Sequence, residues 1–260
     1  MRDSAGRTWL LLESLSVKEL KVRYKRSMLG FAWFLLKPVF QMAVYAVVFT
    51  RIIRFGAAIP HYPLFLMTGL LAWNFLTSSL ISSTTCLLDN HRLVRSVRFP
   101  RAALPASSVL ANAAHMVFAL SVLEVILILF GHYPGPSLLL VPAALVFLLL
   151  ITTGLALLLS VWNVYYRDVA QLVEVLLLAW FYGSPVIYPL GRPEILPPDV
   201  ERIIAFNPMA GVLEVLHAGM YRGDWPAPWA WASMAGWALF LIASGFFVFR
   251  RAEPAVVKEL

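Results

Sequence analysis

The sequence predicts an all-α integral membrane protein: six transmembrane helices, an N-terminal amphipathic interface helix, and two short re-entrant or interfacial helices between the fifth and sixth spans. Three observations predict it. Of the 260 residues, 60% are hydrophobic and only 13% charged, with a mean hydropathy of +0.77, whereas soluble domains carry about 45–50% apolar and about 25% charged residues. The apolar residues fall into runs of about 20, the length that crosses a hydrocarbon core of roughly 30 Å. Finally, lysine and arginine cluster at the ends of those runs, as topology signals do.

The chain begins with residues 1–30, expected to be a cytoplasmic interface helix and not a cleavable signal, because the apolar core starts late and no small-residue cleavage site follows it. Leu12, Leu15, Leu20 and Tyr24 recur at mixed helical spacings with Lys18, Lys21, Lys25 and Arg26 between them, a pattern suited to lying in the interface. A solvated basic tail is the alternative. The stretch Glu19 to Pro38 joins this basic segment directly to the first span.

Residues 31–260 form the membrane domain, with spans expected at about 31–53, 62–88, 104–130, 138–162, 169–188 and 230–249. Lys37 and Pro38 interrupt the start of the first, where proline removes a backbone donor. Residues 89–105, DNHRLVRSVRFPRAALP, read as a polar basic loop. The segment 189–229 is neither clearly loop nor clearly span. Pro198 and Asp199 open one short helix there, and Asn207 and Pro208 end it and open another, closed near Gly223. Each is too short to cross the bilayer, and an ordinary surface loop is the alternative. The sixth span ends at Arg250 and Arg251 with a short polar tail.

Six spans place sixteen of the 21 basic residues on one side and only Arg51, Arg54, Arg192, Arg202 and Arg222 on the other. That bias puts both termini in the cytoplasm and 189–229 outside. The net charge of +7 is thus a matter of topology, not of nucleic-acid binding. Cys86 is the one cysteine, so no disulfide within the chain and no cysteine-rich metal site is possible. No phosphate-binding glycine loop, HExxH or GxSxG occurs, so the chain is not expected to be an enzyme or to hydrolyse nucleotide itself.

The stretch Leu20-Lys21-Val22-Arg23-Tyr24-Lys25-Arg26-Ser27-Met28-Leu29-Gly30-Phe31-Ala32-Trp33 resembles the N-terminal signature of the membrane subunits of type 2 ABC exporters for polysaccharides and polyol phosphates. Arg98-Phe99-Pro100-Arg101, Asn163-Val164-Tyr165-Tyr166-Arg167-Asp168, Ser184-Pro185-Val186-Ile187-Tyr188-Pro189 and Asn207-Pro208-Met209 follow in the order that family has them. Each piece is weak alone; together they cover nearly the whole chain. The resemblance implies a homodimer in the cytoplasmic (inner) membrane working with two copies of a separate ATPase, which would bind the ATP and magnesium. This chain would hold no cofactor. It also implies that a lipid-linked polymer, O antigen first and capsule or teichoic acid as variants, passes between the two subunits along the first and fifth spans. An ATP-independent channel, a proton-coupled carrier and an ABC permease for small molecules are the other readings.

Residues acquire candidate roles from this frame. Gln41, Tyr45 and Phe49 recur every four positions on the first span with Phe34 further back, and Phe181, Tyr182 and Tyr188 lie near a break at Pro185 on the fifth. They are candidate channel-lining residues, since aromatic faces let sugar rings slide; membrane-interface or core packing is the plainer role. Arg92, Arg95, Arg98, Phe99 and Arg101 are candidates for docking the ATPase, with topology as the alternative. Arg23, Tyr24, Lys25, Arg26 and Gly30 are candidates for coupling the interface helix to the first span. Arg167 and Asp168 are expected to pair locally or to cap and orient the fifth helix. Of the ionisable residues within spans, His115, Glu124 and Glu174 are read as structural rather than as a proton relay, because they do not share one face.

Overall fold

Apolar runs in lipid must satisfy every backbone N–H and C=O internally, which leaves the helix as the local solution for single segments. The computed structural model describes residues 14–17, 36, 39–41, 43, 44, 47, 48, 59–96, 99–133, 135–192 and 196–259, and among them the regular structure is helical, with no strand. Most of the interface helix, including Arg23, Tyr24, Lys25, Arg26 and Gly30, lies outside the described residues, as do Phe34, Tyr45 and Phe49 of the first span and Arg98.

The described helices are α1 (Tyr62–Asp89), α2 (His91–Ser96), α3 (Ala103–Leu129), α4 (Val141–Tyr165, entered through a 3-10 turn Pro136–Leu140), α5 (Val169–Tyr182), α6 (Pro198–Ala205), α7 (Pro208–Leu216, continued by a π turn His217–Arg222) and α8 (Pro228–Glu259). Four of these segments are long and apolar enough to cross a membrane: α1, α3, Pro136–Tyr165 and Pro228–Val256. A fifth is present if the pair α6 and α7 with its π turn, bent by 97°, counts as one broken span.

Several helix ends differ from the expected ones. The fifth helix stops at Tyr182 instead of 188, because Pro185 cannot donate and its ring would press on the carbonyl four residues back. Residues 183–188 form turns. The basic stretch after the second span holds the six-residue helix α2. The fourth helix runs on to Tyr165. The sixth continues through Arg250 and Arg251 to Glu259, with Pro254 inside it. There the guanidinium of Arg250 lies 4.3 Å from the Phe246 ring centre and that of Arg251 4.3 Å from Phe247. These i, i+4 pairings hold the charged turn helical.

The 18-residue apolar stretch of α1 is 78% buried and that of α8 only 28%, so α1 is the helix the others surround and α8 lies at the edge. α1 packs on α3, α4, α5 and the π turn, while α8 packs on α4 and α7. Among the buried hydroxyls of α1, Ser83 donates to the Pro105 carbonyl of α3 at 3.3 Å, while Thr68 and Thr84 bond back into their own helix, to the Leu64 carbonyl at 3.0 Å and that of Leu80 at 2.7 Å. In lipid this removes the need for an outside partner.

Helices in lipid associate through close packing rather than hydrophobic exclusion, and small residues set the closest approach. Here α4 and α8 meet at Gly154 and Gly245. A Cβ on Gly154 would fall onto the Leu241 backbone, and one on Gly245 onto the Gly154 carbonyl. Gly211 does the same for α7, its missing Cβ lying 2.9 Å from Met234 Cγ. At the end where α8 finishes, a second cluster gathers Cys86, Leu87, Leu104, Leu157, Val161, Phe249 and Val256, with Leu15 packed against it. Ser16 Oγ donates to the Ser107 carbonyl there at 3.3 Å.

Candidate functional site

At the opposite end, where α1 and α8 begin, the chain folds three separate segments into one joint around Asn207: the end of α5 with the turns that follow it, the elbow between α6 and α7, and the start of α1. As N-cap of α7, Asn207 accepts from the Met209 N–H through Oδ1 at 2.9 Å, the role for which asparagine before an apolar helix is suited. The same oxygen accepts from the Trp180 indole N–H at 2.8 Å. Its amide nitrogen donates to the Gly183 carbonyl and to Ser184 Oγ, both at 2.9 Å. One side chain therefore fixes the end of α5 to the elbow between α6 and α7. Ser184, Pro185 and Val186 are buried, Ser184 Oγ donates to the Trp180 carbonyl at 2.8 Å, and Tyr62 Oη of α1 donates to the Ile187 carbonyl at 2.6 Å. The two motifs Ser184-Pro185 and Asn207-Pro208, 23 positions apart, are in contact.

A histidine chain closes the loops beside this joint. The His132 Nδ1–H donates to the Tyr221 carbonyl at 3.2 Å, since a carbonyl can only accept, and His61 Nδ1 meets His132 Nε2 at 3.0 Å. Tyr221 Oη donates to the Pro60 carbonyl. His61 itself sits at φ +46°, in the left-handed region, where its side chain reaches His132.

The helix leading into the joint, α5, buries only Val173 and Leu177. Leu172, Val175, Leu176, Leu178 and Tyr182 are each about 60% exposed, between 58% and 66%, so most of this apolar helix surface is left uncovered among the described residues. Phe181 is half-buried against Trp73, with ring centres 5.5 Å apart, and against Tyr182 at 5.3 Å. Tyr188 Oη donates to the Tyr182 carbonyl at 3.1 Å. Gln41 is half-buried. Of the ionisable residues in the spans, Glu174 is exposed and Glu124 is half-buried, with neither carboxylate oxygen hydrogen-bonded among the described residues.

Comparison with known proteins decides the family. The profile of the ABC-2 type transporter family matches residues 11–221. The chain belongs to the ABC-2 type transporter family. It is similar, at 34% identity over 249 residues covering 94% of both chains, to the O-antigen export system permease protein RfbA of Myxococcus xanthus. It is 30% identical over 214 residues, 82% of this chain and 81% of the relative, to the RfbA protein of Klebsiella pneumoniae, and 19% identical over 252 residues, 95% of both chains, to the polysialic acid transport protein KpsM of Escherichia coli.

In this ABC-2 transporter subunit the end of the bundle carrying the chain's C-terminus divides the expected docking arginines. Arg92 and Arg95 project from α2 exposed and without an ion pair among the described residues, and Phe99 packs half-buried on the second cluster. Arg101 instead pairs with Glu253 of α8 at 3.2 Å, so it staples α3 to the end of α8. Both partners are partly exposed, and such a pair contributes about 0.5–1 kcal/mol. In a double-mutant cycle on the full chain, Arg101→Ala and Glu253→Ala should each lower stability by about that amount, and the double variant by no more than either.

Arg167 and Asp168 are exposed and form no ion pair with each other. Asp168 holds the N-cap position of α5 with helical backbone angles and no capping bond from its side chain. Asn163 does that work, its Oδ1 accepting from the Ala170 N–H at 3.2 Å. A backbone already helical at Asp168 turns its carboxylate away from the free N–H groups, whereas Asn163 reaches them from the last turn of α4. Sequence reading also missed the number of partners Asn207 has. An asparagine before proline signals a cap, but nothing in the order of residues announces that Trp180 will lie against it.

Proposed function

We propose that this chain is the channel-forming permease subunit of an ATP-driven exporter that moves lipid-linked cell-envelope polysaccharide, O antigen first among them, across the inner membrane. The observation that carries the reading is the 34% identity to an O-antigen export permease along 94% of both chains. The proposed assembly is a homodimer with two copies of a separate ATPase that bind ATP and magnesium. Six spans, both termini in the cytoplasm and a channel between the two copies complete it. The exposed apolar surface of α5 supports a partner along that helix, since a lone 14-residue helix of about 21 Å neither crosses the core nor packs its own sides.

On this reading Phe34, Gln41, Tyr45, Phe49, Phe181, Tyr182 and Tyr188 contribute to the channel lining. Arg92, Arg95, Arg98 and Phe99 meet the ATPase, and the basic interface helix with Arg23, Tyr24, Lys25, Arg26 and Gly30 passes movement to the first span. The joint at Asn207 then belongs to the outer gate formed by 189–229. Pull-down of the tagged chain from its native membrane should recover an ATPase chain, and reconstituted together the pair should hydrolyse ATP faster when lipid-linked polysaccharide is added. Transport that persists without ATP hydrolysis and stops when the proton gradient is collapsed would replace this reading with a carrier.

A further inference from the structure

Between α6 and the first three turns of α8 lies a cavity of about 580 Å³, lined among others by Arg202, Phe206, Trp229, Ser233, Trp237 and Phe240. One of its walls is α8, the least buried long helix of the described chain, where the lining residue Phe240 is 60% exposed and Leu239 beside it 68%, an apolar exposure that suits contact with lipid. The walls are held in place. Trp237 donates its indole N–H to the Phe206 carbonyl at 2.8 Å, and its ring meets Phe206 and Phe240 edge-on, with centres 5.4 and 5.9 Å apart. Gly236 keeps the floor open, since a Cβ there would meet nothing within 4 Å.

Two polar groups along this apolar trough have no partner among the described residues. The Ser233 hydroxyl is out of solvent contact and makes no hydrogen bond. Arg202 is exposed and has no ion pair among the described residues, while the neighbouring Glu201 turns its Oε1 to the Gly191 N–H at 2.8 Å. From Trp229 to Phe240 the trough runs along about 16 Å of helix, the depth of one leaflet of a roughly 30 Å core. An unpaired guanidinium is a fixed, always charged donor that suits phosphate.

We infer that this cavity is a binding site for one anionic phospholipid of the surrounding bilayer, with its phosphate on Arg202 and an acyl chain along Trp229, Gly236 and Phe240. A sugar fits the lining poorly, because its hydroxyls would find one guanidinium among apolar and aromatic walls. The site lies beside α6, whose last residue is two positions before Asn207, so a bound lipid braces the elbow from the bilayer side. It is independent of which polymer is exported.

The test is native mass spectrometry of the purified full-length chain titrated with phosphatidylglycerol and with phosphatidylcholine. Wild-type protein should bind phosphatidylglycerol saturably, and Arg202→Gln should weaken that binding about fivefold, the worth of one basic side chain at an anionic surface, bringing it to the phosphatidylcholine level. Gly236→Leu should weaken both lipids by about tenfold or more by filling the trough, with the thermal midpoint near wild type. Arg202→Gln, on an exposed side chain, keeps the test decisive if Gly236→Leu misfolds. Equal affinity of the wild type for both lipids, or unchanged binding in a folded Gly236→Leu or Arg202→Gln variant, would overturn the proposal. So would displacement of phosphatidylglycerol by a polyprenyl diphosphate at lower concentration, which would give the cavity to cargo. Loss of dimer with lipid retained would give it to a second copy.

Discussion

Asn207→Ala should lower the stability of the full-length protein by about 2–4 kcal/mol, the sum expected from losing a helix cap and leaving further buried polar groups unsatisfied. The side chain makes four hydrogen bonds, to Met209, Trp180, Gly183 and Ser184. Alanine removes them together, and Trp180, half-buried against Trp73 with ring centres 5.7 Å apart, loses the acceptor of its indole N–H. Asn207→Asp separates the two halves of the joint. The carboxylate still accepts from Met209 and Trp180 but cannot donate to the Gly183 carbonyl. Its loss should therefore fall between wild type and alanine, and thermal unfolding of the reconstituted protein, followed by tryptophan fluorescence, measures the order. Equal stability of all three would mean that the elbow is held by the packing of α7 alone.

Gly154→Leu should have the larger effect on assembly of the bundle. The Cβ alone would coincide with the Leu241 backbone, and backbone cannot swing aside as a side chain can, so α4 and α8 must separate. Overpacking in a closed core costs about 1–3 kcal/mol and occasionally more; a leucine against backbone lies at the upper end. Gly245→Val presses on the same contact from the other helix and should give a similar loss. Gly236→Ala on α8, where the added methyl meets nothing, should be neutral or slightly stabilising through helix propensity. Yield of folded protein from membranes and its thermal midpoint decide; a Gly154→Leu protein as stable as Gly236→Ala would remove the glycine contact as an organising feature.

Much of the architecture was legible because the membrane imposes a simple rule on composition. Tyr62–Asp89 and Ala103–Leu129 could be read to within a residue, since uninterrupted apolar runs have one solution in lipid. Pro198 and Asn207 announced two helices for local reasons, a fixed φ at a first turn and a capping amide. What failed did so where one particular side-chain contact decided the outcome, whether one turn away or far along the chain. Arg250 and Arg251 looked like the end of a helix, yet they rest on Phe246 and Phe247 and the helix runs to Glu259. The short α2 has too few residues to show a period, and it is held through Val94, buried in the second cluster. Asp168 looked like the cap of α5, but the previous helix supplies Asn163. The joint at Asn207 joins residues 23 to 27 positions apart, which no period or spacing reveals. The expected roles of Arg23, Tyr24, Lys25, Arg26, Gly30, Phe34, Tyr45 and Phe49 rest on the sequence alone.

Three bonds from the Asn207 side chain, to Trp180, Gly183 and Ser184, act in parallel rather than in series. A force that draws the end of α5 away from the elbow of α6 and α7 is shared among them, so the joint yields abruptly or not at all. Between those two outcomes α5, the turns at 183–188 and the elbow travel as one bracket, hinged on α1 through the Tyr62 bond to Ile187. Any widening alongside α5 is then converted at once into a tilt of the bent pair, without a separate signal to tell it to move.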